Sequence, residues 1–336
     1  MSFAPTMMWL NIVRLSQRVK WRPEHKRPGP GLQGLWCLSR ERSRLEASPV
    51  HRGEATLMNK QIHDTGTADL QAWEAEGILH ITLNRPQARN AMSGPMNQAL
   101  GKMLAYGEES ASVRVIVLTG AGGAFCAGGD VKGMAGSGDG GSTAGAEATL
   151  DERIHAQRLN QRATAGRMYL MPKPVIASLP GAAAGAGMSL ALAADLRIMA
   201  DNAFITSAFA KVAFSGDYGG TYFLTQLVGS GKAREIYYLS DRVDAQACLR
   251  LGLANAVVPA EALEEETLAL ARRLAAGPPA AYRYMKENLN RAAQGADVLS
   301  CMDLEATHHV HTGLTDDHRN AAQAFVEKRA PVFTGR

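Results

Sequence analysis

Short, nearly continuous apolar runs recur along the middle of this chain, closed by small residues and separated by stretches of helical periodicity. "VRVIVLTG" (113–120) and "PVIASL" (174–179) leave almost no polar face, the pattern of strands buried on both sides. "GILHITLN" (77–84) alternates well enough to be another strand, and "LRIMA" (196–200) reads as a fourth. Between residues 84 and 113 lies "SGPMNQALGKMLAYGEES" (93–110), where Ser93 can cap, Pro95 sits early and apolar residues return at helical spacing. Strands alternating with helices predict an α/β domain with crossover connections. After about Val258 the text turns helical in "AEALEEETLALARRLAAG", "PAAYRYMKENLNRAA" and "TDDHRNAAQAFVEKR", which predicts a C-terminal helical cap or assembly element.

Composition sets the limits of this reading. The chain has 336 residues, 46% hydrophobic and 20% charged, enough for one sizeable core with a smaller appendage. No apolar run approaches the roughly 18 residues of a membrane span. The net charge is only +4, and the basic excess lies before Arg52, so the body makes no case for nucleic-acid binding. Cys37, Cys126, Cys248 and Cys301 form no C-x-x-C pair, which favours buried thiols in a reducing compartment over a disulfide framework or zinc site.

Residues 1–57 differ in kind. "KWRPEHKRPGPGLQG" is basic, rich in Pro and Gly, and without helix or strand periodicity, so this part is expected to be disordered. It reads either as a basic targeting peptide or as an upstream extension with no structural role. Pro28, Gly29, Pro30 and Gly31 suit an amphipathic presequence poorly, which favours the extension, a compact body from Met58 and a cytoplasmic location. Residues 134–148 read as a flexible Gly/Ser loop.

Three constellations could carry chemistry. "GMSLA" (187–191) approaches the G-x-S-x-G nucleophile elbow, but "PGAAAGAG" separates Ser189 from the strand and the fifth position is alanine. "HHVH" puts His308 and His311 on one helix face, yet no carboxylate or cysteine motif accompanies them, so no metal site is expected. The third is a pair of Gly/Ala-rich turns, "TGAGGAFCAGGD" (119–130) and "PGAAAGAG" (180–187), each following a buried strand. Neither fits a P-loop or dinucleotide fingerprint. Together they can aim two backbone N–H groups at one point and hold charge developing on a carbonyl oxygen.

"ITLNRPQARNAMS" (81–93), "AFCAGGDVKGM" (124–134), "PVIASLPGAAAGAGMSLALAADLRIMA" (174–200) and "FVEKRAPVF" (325–333) together resemble the crotonase, or enoyl-CoA hydratase/isomerase, superfamily, in order and spacing from about residue 70 onward. The resemblance implies a crotonase-like spiral of ββα turns over 58–258. It implies a helical trimerisation region over 259–336 and assembly as a homotrimer or a hexamer. The substrate would be an acyl-CoA thioester, with no further cofactor. By the same resemblance Gly129 and Ala186 supply the two N–H groups of the oxyanion hole. Ala88, Ala127, Asp130 and Val131 would run along the CoA, and Phe325 and Lys328 would help hold its nucleotide end.

The chain departs from the family's hydratases at both glutamates. Ser189 and Phe209 occupy those positions, and neither can serve as a carboxylate acid or base. Asp217, just ahead of Gly219 and Gly220, stands where several isomerases of the superfamily and its aryl-CoA dehalogenases carry a catalytic aspartate. It equally suits a helix cap. The expectation is an isomerase shifting a double bond or remodelling a ring, as in phenylacetate breakdown, with Asp217 moving the proton. Phe209 and Met188, beside Ser189, are expected to wall an acyl pocket suited to aromatic or alicyclic groups. A hydratase with a non-standard site, a non-catalytic acyl-CoA binder, a dehalogenase and a serine hydrolase are the alternatives.

Overall fold

The computed structural model describes residues 60–130 and 148–336. The expectations placed on residues 1–57, on Val131 and on most of the 134–148 segment lie outside them. Seven strands form the main sheet: β1 (Gln61–His63), β2 (Leu70–Ala75), β3 (Ile78–Leu83), β4 (Val115–Gly120), β5 (Val175–Leu179), β7 (Leu196–Ala200) and β10 (Ala256–Val258), hydrogen-bonded in that order. The first three are antiparallel neighbours, and from β3 onward every pairing is parallel. All four strands read from the sequence are present, within two residues of their expected ends.

The period of two along these strands distributes side chains between two layers. Ile78, Val115, Val117 and Ile176 meet Ala271 and Ala275 of helix α7 (Leu263–Ala275) on one face. Leu79, Ile81, Leu83, Ile116 and Leu118 enter the larger core, which also takes Met96, Leu100 and Leu104 of α1 (Gly94–Glu109). Helix α1 starts as its sequence requires: Ser93 Oγ accepts from Met96 N at 3.2 Å and donates to Asp69 at 2.5 Å.

A second sheet of three short strands, β6 (Ala183–Ala184), β8 (Phe204–Thr206) and β9 (Val243–Asp244), generates the spiral. In β5–β6–α4 (Ala186–Ala193) and again in β7–β8–α5 (Gly220–Leu239), the chain runs one strand in the large sheet, one in the small sheet, and then a helix. These are two successive ββα turns. Helix α4 is buried at every position, so its small residues are what let it lie inside the molecule.

Helix α2 (Leu150–Gln161) leads through a π-helical turn at Arg162–Gly166 into α3 (Arg167–Leu170). After α5 come α6 (Ala245–Arg250) and the C-terminal helices α7, α8 (Pro279–Ala293), α9 (Val298–Gly313) and α10 (Asp316–Glu327). One buried lysine ties α8 to the sheet: Lys286 Nζ donates to Met168 O at 2.7 Å, Lys173 O at 3.2 Å and Asp195 Oδ2 at 2.8 Å. In "HHVH" on α9, His308 is buried with Nδ1 2.6 Å from Asn288 Oδ1, while His309 and His311 are exposed. Among the described residues no group of three His, Cys, Asp or Glu side chains could hold a metal ion. Cys126 and Cys248 are buried free thiols, both pushed up to about 12 by burial.

Candidate active site

The turns after β4 and β5 are laced together by their backbones. Phe125 N and Cys126 N donate to Ala182 O at 3.0 and 3.1 Å, and Ala184 N donates to Cys126 O at 2.9 Å. A third segment joins them through Ala127 N to Arg89 O at 2.9 Å and Met92 N to Gly128 O at 2.8 Å. Not every N–H group of these turns is used within them. Those of Gly129 and Ala186 make no hydrogen bond among the described residues, and both residues line one cleft of about 480 Å³. Ala186 opens α4, where first-turn N–H groups have no intrahelical acceptor and the helix dipole favours negative charge.

Glycine at 128 is what allows the close approach. Its φ of 90° disfavours side chains, and a Cβ there would lie 2.8 Å from Ala184 O and 3.3 Å from Ala186 N. The small-residue turns therefore converge backbone on backbone. Preorganised N–H groups of this kind typically lower the cost of a developing oxyanion by ~3 kcal/mol each.

Asp217 lines the same cleft. Its side chain does not cap α5: the N-cap is Gly219, and the hydrogen bond nearby runs from Gly220 N to the backbone oxygen of Asp217 at 3.0 Å. The Oδ1 atom is buried with no partner among the described residues, and burial pushes the carboxyl up to about 6. A structural aspartate at a turn normally satisfies both oxygens, whereas this one keeps an unpaired oxygen and a value suited to proton transfer near neutrality.

The next residue fixes its position. Tyr218 N donates to Gln161 Oε1 at 3.0 Å, and Tyr218 Oη accepts from Asn160 Nδ2 at 2.8 Å. Tyr218 holds a left-handed φ of 48°, a conformation that costs a non-glycine residue about 1 kcal/mol and persists where neighbours enforce it. The end of α2 thus clamps the turn that carries Asp217.

The remaining sequence-derived residues divide. Phe209 lines the cleft and stacks on Tyr237 with ring centroids 5.7 Å apart. Met188 does not wall the cleft; it is fully buried in the main core, because α4 is enclosed on all sides. Ser189 is also fully buried, with its Oγ donating at 3.3 Å to Gly185 O. A Cβ on Gly220 would collide with Ser189 Oγ and come within 2.6 Å of Tyr237 Oη, so Ser189 is packed under the start of α5. Ser189 is enclosed, and among the described residues no histidine lines the cleft, so the Ser189 nucleophile of the serine-hydrolase alternative has no access to it.

Ala88 ends a 3₁₀ turn at Pro86–Ala88, and Asp130 pairs with Arg85 at 3.1 Å. Together with Ala127 they flank the Gly129 turn and contribute nothing to the cleft lining. Phe325 is 86% exposed on α10 and Lys328 is its exposed C-cap, so neither reaches the cleft within this chain.

Sequence reasoning missed Asn97, Asn160, Gln161 and Tyr218. Asn97 carried a signal, since it interrupts the buried stripe of α1 between Met96 and Leu100, and its Oδ1 is a buried atom with no partner among the described residues. Asn160 and Gln161 carried none, because "LDERIHAQRLNQ" lacks an apolar period.

The fold recurs in known proteins. The model of the family described as enoyl-CoA hydratase/isomerase matches residues 74–336. The chain belongs to the enoyl-CoA hydratase/isomerase family. It is 38% identical over 264 residues to a protein of Rhodobacter capsulatus named "Probable enoyl-CoA hydratase", covering 78% of this chain and 96% of that one. The solved structure of an enoyl-CoA hydratase from Bacillus anthracis aligns with a TM-score of 0.71 at 32% identity, over 83% of this chain and 100% of the other. One from Polaromonas sp. JS666 aligns with a TM-score of 0.72 at 30% identity, over 79% and 99%. The crotonase fold expected from the four sequence segments is therefore shown, and the chain is an acyl-CoA enzyme of this family. Among the described residues no helix is long and apolar enough to cross a membrane.

Proposed function

We propose that this protein is an enoyl-CoA isomerase in which Asp217 is the proton-transferring base. The observation that carries the reading is the Asp217 carboxyl: it lines the cleft shared with the Gly129 and Ala186 N–H groups, keeps a buried unpaired oxygen, and is raised to about 6. The two N–H groups polarise the thioester carbonyl, which acidifies the neighbouring C–H. Asp217 takes that proton, and the electron pair moves into a dienolate whose oxyanion the N–H groups hold. The protonated Asp217 then gives the proton back at the γ-carbon, the double bond settles between α and β, and the carboxylate is regenerated. No water is consumed, which accords with serine and phenylalanine at the two glutamate positions.

In this reading the CoA passes Ala88, Ala127, Asp130 and Val131, and Phe325 and Lys328 serve its nucleotide end from an adjacent copy. Met285, Leu289, Val298, Met302 and Val310 leave an exposed apolar face on α8 and α9 that a trimeric or hexameric assembly would cover. A second reading, hydration with Asp217 activating water, is favoured by the hydratase names of the relatives. The two separate on substrate. An isomerase converts 3-hexenoyl-CoA to 2-hexenoyl-CoA and leaves crotonyl-CoA unchanged, whereas a hydratase adds water to crotonyl-CoA. Binding of both esters with turnover of neither would make the protein a non-catalytic acyl-CoA binder.

A further inference from the structure

Helix α2 contributes no buried residue to either core, unlike α1 or α4. Its inward face is used for something else. Leu150, Arg153, Ile154, Gln157, Arg158 and Gln161 all line the cleft, and their spacing of three and four places them on one side of the helix. The wall is a fixed one. Thr149 and Glu152 form a capping box at its start, and Asn160 and Gln161 anchor its end to Tyr218, beside Asp217.

The cleft is consequently mixed. Met92, Phe209 and Phe214 are apolar, while α2 adds Leu150 and Ile154 and, farther along, the guanidinium groups of Arg153 and Arg158 and the amides of Gln157, Asn160 and Gln161. Among the described residues, Asp217 is the single acidic residue in the lining. Arg158 has no ion pair among the described residues, and its sequence neighbours supply none. The positions three and four away are Ile154, His155, Gln161 and Arg162, so it has no helical carboxylate partner. Its side chain is solvent-exposed and lines the cleft. It sits on the face that meets the occupant, with Gln157 next to it.

We propose that α2 reads the far end of the acyl group, and that this end carries a carboxylate: the substrate is a CoA ester with an apolar body lying on Phe209 and Phe214 and a terminal anion held by Arg158, assisted by Gln157. Guanidinium geometry suits a planar carboxylate, and a charge-assisted hydrogen bond gives the selectivity that an apolar wall alone does not. The phosphates of CoA are the other anions in such a substrate. The CoA-side residues Ala88, Ala127 and Asp130 are absent from the cleft lining, which places the cleft on the acyl side of the Gly129 N–H. This inference rests on the thioester lying at Gly129 and Ala186, and it does not depend on which reaction Asp217 performs.

The test is equilibrium binding of hexanoyl-CoA, adipoyl-CoA and free CoA by calorimetry, which needs no turnover. The native chain is expected to bind adipoyl-CoA about tenfold more tightly than hexanoyl-CoA, the effect of one charge-assisted hydrogen bond in a water-accessible site. Arg158→Gln is expected to erase that preference without changing hexanoyl-CoA affinity, and Arg158→Lys to restore part of it. Arg158 is exposed, so neither change endangers folding. Equal or tighter binding of hexanoyl-CoA by the native chain overturns the proposal. An equal loss for both esters and free CoA in Arg158→Gln also overturns it, because the arginine then serves the CoA phosphates. An Asp217→Asn variant that still isomerises would overturn Asp217 as the base alone and leave this preference intact.

Discussion

At the scale of the residue, Asp217 gives the site its pH signature. A general base must be ionised, so kcat/KM is expected to fall about tenfold per unit below pH 6, where an ordinary aspartate would hold activity to about pH 4. The same shift costs stability. A carboxyl raised in the folded state contributes stability below the unfolded value of about 3.9, and that contribution is lost as pH rises through about 6. Asp217→Asn is therefore expected to stabilise the fold at pH 8 by about 3 kcal/mol and hardly at all near pH 4, as thermal unfolding at the two pH values would show. Gly128→Ala is a second residue-scale test. The new Cβ would press on Ala184 O and Ala186 N from a left-handed position. Activity on 3-hexenoyl-CoA is expected to fall at least a hundredfold while the chain still folds. The position of Asp217 and the two backbone donors were legible in the sequence because the resemblance marks them by motif. The unpaired oxygen was not, since it follows from contacts between the 216–220 turn and α2, which are distant in the chain.

At the scale of the element, strands were easier to read than the helices that build the cleft. Strands β3, β4, β5 and β7 announced themselves because each buries most of its side chains. Helix α2 buries none, so it has no apolar period and went unread, although it supplies seven of the cleft's lining residues. The expected wall at Met188 failed for a related reason. A short helix with no polar side gives no indication of which residues face the cleft, and α4 turns Met188 into the core. The C-terminal helices dock by polar contacts that no periodicity shows, chief among them Lys286 with Asp195. Lys286→Met leaves Asp195 without its cation and two carbonyls without their donor. It is expected to lower stability by about 3 kcal/mol in urea unfolding, with the activity of the folded fraction unchanged.

At the scale of the whole molecule, the order β1-β2-β3-β4-β5-β7-β10 places β6 and the 125–129 turn side by side, and that adjacency makes the site. The α/β class followed from alternating strands and helices. The spiral was implied by the resemblance, and the second small sheet was unreadable because its strands run two or three residues. The exposed apolar face of α8 and α9 is expected to be covered in solution. Light scattering should give three or six times the 35.9 kDa chain, and a monomer at micromolar concentration would count against that assembly. The central claim is that a single aspartate opposite two backbone donors moves a proton within a bound acyl-CoA. Its most direct measurement is the conversion of 3-hexenoyl-CoA to 2-hexenoyl-CoA by the native chain and by Asp217→Asn, with ester affinity measured on both. The expected result is turnover by the native chain and a loss of at least about a thousandfold in kcat on substitution, with affinity changed less than threefold. Asp217→Asn turnover within tenfold of the native chain would contradict the account.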